Sequence, residues 1–184
     1  MFKMIPWDQS IDLSDFYKKA EKYGYVNNAS QHMLIDCFNN ESKFQAWILY
    51  KDDVAVGSTV GHSLPELGQN AYRICSRICA FPEANPIKGL MTKNKILYQH
   101  QNFISQFFFP IGIEWAGFDS DLYMSTHPSE VGSQQLMHRT FCPTFEKMGV
   151  LSKECDIEYR GHLQTFWKIN PYVLMDQLNL YQRW

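Results

Sequence analysis

Arg77-Ile78-Cys79-Ala80-Phe81-Pro82, followed by Lys88-Gly89-Leu90-Met91-Thr92-Lys93, decides how the chain folds. The first stretch reads as a strand ended by Pro82. The second reads as a turn opening a helix at Gly89 or Thr92. The first-turn N–H groups of a helix have no partner within it, and the peptide dipoles add partial positive charge there. Beside the open end of a strand, such a place suits a diphosphate. The same order also describes an ordinary strand–loop–helix connection, and the segment alone leaves both readings open.

Outward from that segment the periodicities change. Ile96, Leu97, His100, Phe103, Ile104 and Phe107 recur at three and four, which predicts a helix up to Pro110 and Gly112. Upstream, Phe44 to Tyr50, Val54 to His62 and Ala71 to Phe81 predict a three-strand meander, with a tight turn at Lys51-Asp52-Asp53. Gly57 and Gly61 predict a bulge or close packing in the middle strand. Phe2 to Ile5 predicts a first strand. Asp12 or Ser14 caps a helix running to Lys22, and Ser30 caps another. Downstream, Asp121 to Thr126 predicts a strand, which Ile113 to Ala116 approaches. Gln134 to Lys147 predicts a helix that Pro143 kinks or splits and Gly149 ends. Leu151 to Tyr159 and His162 to Ile169 predict two strands joined at Arg160-Gly161, and Pro171 to Tyr181 a terminal helix.

This order predicts an α+β fold with a mostly antiparallel, mixed central sheet flanked by helices. The step through residues 71 to 126 calls for a parallel neighbour and a right-handed crossover. The 184 residues predict a single domain, with residues 171–184 as a C-terminal appendage.

Composition narrows the function. Hydrophobic residues at 45% and charged residues at 20% fit a folded chain rather than a disordered one. A net charge of −2 argues against a broad polyanion-binding surface. The five cysteines have no framework spacing and read as reduced thiols. Cys75 and Cys79 lack a second ligand pair, and the histidines are scattered, so no metal is expected. No signal-peptide pattern opens the chain, and the longest apolar run is too short for a bilayer, so a cytoplasmic location and no membrane partner are expected.

The chain resembles the Gcn5-related N-acetyltransferase (GNAT) superfamily in element order and two local motifs. Arg77 to Pro82 resembles the strand of that superfamily's acyl-coenzyme A motif, and Gly89 to Lys93 resembles its R-x-x-G-x-G/A loop and helix entry. Thr144-Phe145-Glu146-Lys147-Met148-Gly149-Val150 resembles the late-helix ending Y-x-K-x-G-F. In the loop, Pro86 stands where the arginine falls and Met91 where the last glycine falls. Phe145 stands where many members carry the tyrosine that protonates the departing thiolate.

The resemblance implies a GNAT-like fold in which two central parallel strands splay and pantetheine lies between them. It implies acetyl-coenzyme A as co-substrate, held by the backbone of Cys79, Ala80 and Phe81 and by N–H groups of Lys88, Gly89, Leu90, Met91 and Thr92. The implied reaction is N-acylation, with acetyl as the group, of a small-molecule or peptide amine. It needs a base for the amine proton and an acid for the thiol. His127, after the strand that would face the thioester, is a candidate base, and Tyr123 a candidate acid. An exposed loop histidine and a core tyrosine are the plain alternatives. Arg73 and Arg77 read as cations facing an acceptor carboxylate or phosphate, or as partners of Glu83 or Asp121. His138 and Arg139 lie near a position where members often carry an asparagine, or on a solvated helix face. Two other functions stay open: a non-catalytic binding or assembly module, and a nucleic-acid base-modifying enzyme using Arg73, Arg77, Lys88, Lys93 and Lys95 as a basic strip.

Overall fold

The computed structural model describes residues 1–22, 43–78, 104–128 and 137–181. The expected loop and helix entry from Cys79 to Thr92 lie outside the described residues. The elements are β1 (Phe2–Pro6), α1 (Ser14–Lys22), β2 (Phe44–Lys51), β3 (Val54–Ser63), β4 (Ala71–Ile78), α2 (Phe109–Ala116), β5 (Asp121–Thr126), α3 (Cys142–Lys147), β6 (Leu151–Tyr159), β7 (His162–Ile169) and α4 (Pro171–Tyr181). The hydrogen-bonded strand order is β1-β2-β3-β4-β5-β7-β6. Among the described residues β4 and β5 pair in parallel, whereas β1/β2, β2/β3, β5/β7 and β6/β7 are antiparallel. This is the expected mixed α+β class.

The chain forms two compact units, Met1–Ser63 with Cys75–Phe107, and Leu64–Ile74 with Phe108–Trp184, so each holds half of β4. In the first unit Asp12 accepts the Ser14 backbone N–H at 2.8 Å and its hydroxyl at 2.5 Å, which fixes the start of α1. Leu13 and Phe16 are buried. The turn between β2 and β3 holds Asp52 and Asp53 at φ +47° and +65°, the left-handed pair that a tight hairpin requires. The register steps from Leu49↔Gly57 to Tyr50↔Ala55, so Val56 is an extra residue beside Gly57, in the strand where a bulge was expected.

One correction to the sequence reading concerns proline. Pro110 and Gly112 do not stop a helix: a π-helical turn at Ile104–Phe108 leads into α2, which runs through both to Ala116. Ile113 to Ala116 is therefore helical and not a strand approach. A second π turn, Met137–Phe141, leads into α3, and Pro143 follows it as Pro110 follows the first. Each proline occupies the first turn of its α-helix, where a missing N–H costs nothing. The wider turn before it resets the hydrogen-bond ladder.

Gly112 is a packing residue. A Cβ there would stand 2.5 Å from the Ile74 Cδ1 and 3.4 Å from a Leu122 methyl, so α2 lies close on β4 and β5. Gly117, at φ +96°, ends α2 with its N–H on the Ile113 carbonyl at 2.8 Å. Gly149, at φ +75°, ends α3 as expected. The β6–β7 turn holds Arg160 at φ +53° and Gly161 at +77°. Residues 171–181 form α4, whose Leu174 is buried.

Candidate functional site

Partners opposite one another in a sheet share a face. Arg73↔Tyr123, Tyr123↔Lys168 and Ser125↔Phe166 therefore place these side chains on one face of the second unit's strands. Ile74 and Leu122 lie on the other face, under Gly112 of α2. Thr126 and Trp167 share that covered face and meet His138.

On the first face, Leu64, Ala71, Tyr123, Tyr159 and Phe166 form an apolar cluster, with Leu67, Cys155 and Ile157 against it. Arg73 is half-buried beside it. Its Nε and Nη2 donate to Ser125 Oγ at 3.0 and 2.6 Å, and Nη2 also donates to Gln164 Oε1 at 3.1 Å. Ser125 Oγ donates to Gln164 Oε1 at 2.6 Å, and Gln164 Nε2 to the Tyr159 carbonyl at 3.2 Å. The Arg73 Cζ lies 5.0 Å from the Tyr159 ring centroid and 5.9 Å from that of Phe166. The expected pairing of Arg73 with Asp121 is not formed, because Asp121 takes Lys168 at 2.7 Å. Glu83 lies outside the described residues.

On the covered face, the Trp167 Nε1–H donates to Thr126 Oγ1 at 3.0 Å, and Thr126 Oγ1 lies 2.9 Å from His138 Nδ1. An indole N–H only donates. Thr126 thus accepts from Trp167 and has its own O–H to give to Nδ1. A neutral imidazole with its proton on Nε2 would accept that O–H. Burial, ahead of the Lys153 charge, lowers the His138 pKa, in the same direction. His138 is thus half-buried rather than on a solvated helix face, while Arg139 is exposed.

Of the two candidate catalytic residues, Tyr123 is buried in the apolar cluster, and burial raises its pKa, with Asp121 adding to the rise. The phenol therefore keeps its proton at neutral pH. His127 is half-buried just past β5, its ring edge-on to that of His162 at 5.7 Å. Tyr123 and Ser125 share the Arg73 face. Phe145 is buried, its ring stacked on Phe141 at 4.3 Å. The Cys142 thiol is buried, which raises its pKa and leaves it unreactive. All eight proposed carrier contacts, Cys79, Ala80, Phe81, Lys88, Gly89, Leu90, Met91 and Thr92, lie outside the described residues, as do the lysines of the basic strip. No group of three or more metal-ligating side chains occurs among the described residues. None of their helices is long and apolar enough to cross a membrane.

The parallel register runs Ala71↔Asp121, Tyr72↔Leu122, Arg73↔Tyr123, and β5 continues from there to Thr126. Its other edge stays paired with β7 from Tyr123 to Thr126. Among solved structures the fold recurs. A protein assigned to the GNAT family from Desulfovibrio desulfuricans superposes with a TM-score of 0.56 over 92% of this chain and 98% of its own, at 11% identity.

The chain carries the GNAT fold.

The ribosomal-protein-S18-alanine N-acetyltransferase of Escherichia coli is similar at a TM-score of 0.53, with 8% identity, over 91% of this chain and 92% of its own. An aminoglycoside N(6′)-acetyltransferase from Legionella pneumophila gives 0.51, with 13% identity, over 96% and 95%. No protein-family model matches the sequence, and no curated protein does. The GNAT likeness is thus carried by architecture.

Sequence reasoning missed two parts of the site. Gln164 gave no signal, because a glutamine in a strand has no motif. Ser125 and Thr126 were visible only as a polar end to β5. Alternation would have put them on opposite faces, which is where their two networks lie.

Proposed function

We propose that this protein is an acyl-coenzyme A-dependent N-acyltransferase that transfers an acetyl group to an amine. The observation that carries the reading is the β4/β5 pair. It pairs in parallel from Ala71↔Asp121 to Arg73↔Tyr123 inside a mixed sheet of the GNAT fold. In the proposed complex, backbone groups of β5 would bond the amides of a pantetheine arm. The fold neighbours named for S18-alanine and aminoglycoside N-acetylation support an amine as acceptor.

The co-substrate supplies an activated thioester. In the proposed chemistry the amine nitrogen forms the C–N bond as the C–S bond breaks. His127 receives the amine proton, and Tyr123 gives its phenolic proton to the departing sulfur. Tyr123 arrives protonated, as that role requires. Cys79, Ala80, Phe81 and the N–H groups from Lys88 to Thr92 are the proposed carrier contacts. Calorimetry with acetyl-coenzyme A tests the reading: saturable binding is expected, and no binding at millimolar ligand to folded protein overturns it.

A second reading, a binding module without catalysis, is favoured by Phe145, which has no proton to give where many GNAT members carry a tyrosine. Turnover of acetyl-coenzyme A with any amine decides against it.

A further inference from the structure

Arg73 is a fixed cation with a donor to spare. A guanidinium carries five N–H groups. Ser125 and Gln164 occupy those of Nε and Nη2, and the two on Nη1 take none of these bonds. The holding groups are themselves bonded to one another and to the backbone. Ser125 Oγ accepts twice from Arg73 and gives its proton to Gln164, whose amide is anchored on the Tyr159 carbonyl. Tyr159 and Phe166 flank the guanidinium. Five groups thus set the position of one side chain.

The charge of Arg73 meets no carboxylate among the described residues. The acid on its face, Asp121, is engaged by Lys168. Arg160 brings a second guanidinium within 5.2 Å of the same Tyr159 ring. A half-buried charge without a counterion is unfavourable, and an anion that supplied one would gain a charge-assisted hydrogen bond. The neutral partners hold the cation without neutralising it.

We infer that Arg73 binds a carboxylate of the acceptor, so that the substrate is an amine that also bears an acid group, such as an amino acid or a peptide terminus. This rests on the transferase reading and deepens it. The carrier would lie along the backbone edge of β5, whereas Arg73 stands on the side-chain face, on the side from which a second substrate must approach. The Nη1 donors match the oxygens of one carboxylate.

The test uses simple product-like acids as probes. N-acetyl-amino acids and their matching carboxamides are titrated into the whole protein, with the Arg73 Nε signal followed by nitrogen-15 NMR, with and without coenzyme A. The acids are expected to shift that signal and bind at least tenfold more tightly than the amides. Gln164→Glu places a carboxylate beside the guanidinium and is expected to weaken the acids tenfold or more. Arg73→Met is expected to abolish the preference, its folding being checked by near-ultraviolet circular dichroism. Equal binding of acids and amides overturns the inference. So does undiminished acid binding by Gln164→Glu, or the absence of any shift up to the solubility limit. Failure of coenzyme A to bind in a separate titration removes the transferase reading instead, and an acid-specific shift would then still mark an anion site.

Discussion

Thr126 Oγ1 and His138 Nδ1, 2.9 Å apart, join the end of β5 to the helical turn that precedes α3. Trp167 donates to the same oxygen, and the Thr126 hydroxyl proton remains to be given to an imidazole that is neutral at Nδ1. Burial lowers its pKa. A depressed histidine contributes stability above its unfolded pKa of about 6.5 and loses it as pH falls through the folded value. Thermal unfolding is therefore expected to show a loss of stability below about pH 6.5 that His138→Gln, which keeps an acceptor without titrating, does not show. Thr126→Val leaves the buried Trp167 N–H without its acceptor and is expected to cost about 1–3 kcal/mol. Identical pH profiles for wild type and His138→Gln would defeat the assignment.

Gly112 lets α2 approach β4, and the contact falls on the end of Ile74, itself buried. Gly112→Ala drives a methyl into that side chain. Helix propensity favours alanine by about 1 kcal/mol, yet overpacking costs about 1–3 kcal/mol. The variant is expected to be destabilised. Removing both struck atoms in Gly112→Ala/Ile74→Ala should make the two losses less than additive, because Cδ1 and Cγ1, at 2.5 and 2.6 Å from the new methyl, are gone. Chemical denaturation of the two singles and the double measures the coupling. Additive losses would show that the two residues do not meet.

The strands, their hairpins and the helix ends were legible in sequence because short-range chemistry fixes them. The turns at Asp52-Asp53 and Arg160-Gly161 and the stop at Gly149 need only local backbone conformations. Pro110 and Gly112 misled because each has two meanings. A proline ends a helix or begins one, depending on the hydrogen-bond pattern before it. A glycine breaks a helix or lets it pack closely, depending on what lies opposite. Both answers are tertiary. The site divides the same way. The β5 stretch Tyr123 to His127 was visible as a candidate. The Arg73–Ser125–Gln164 triad was not, since its members are separated by 52 and 91 positions along the chain.

Pro110 offers a test with opposite signs. A proline inside an established helix costs about 3 kcal/mol, so replacing it with alanine would stabilise the protein by a comparable amount. At a first-turn position the ring pre-sets φ and removes a donor that has no intrahelical partner. Pro110→Ala is then expected to destabilise slightly, by about 0.4–1 kcal/mol, through the greater freedom of the unfolded chain. A rise in melting temperature would show that the π turn at Ile104–Phe108 does not reset the ladder.

Tyr123 and Phe145 compete for one role, and a pair of substitutions separates them. If Tyr123 protonates the leaving sulfur, Tyr123→Phe lowers kcat by about two orders of magnitude, with little change in KM for the thioester. Phe145 is stacked on Phe141 and buried, so Phe145→Tyr has to bury a hydroxyl and is expected to lose about 1 kcal/mol of stability without raising kcat. The decisive measurement is the double variant. Should Phe145→Tyr restore turnover in the Tyr123→Phe background, the acid position is at residue 145, and Tyr123 is then a core residue whose raised pKa reflects burial alone. Should it restore nothing, while Tyr123→Phe remains slow and fully folded, the proton comes from β5 and not from the helix that carries it in many relatives of this fold.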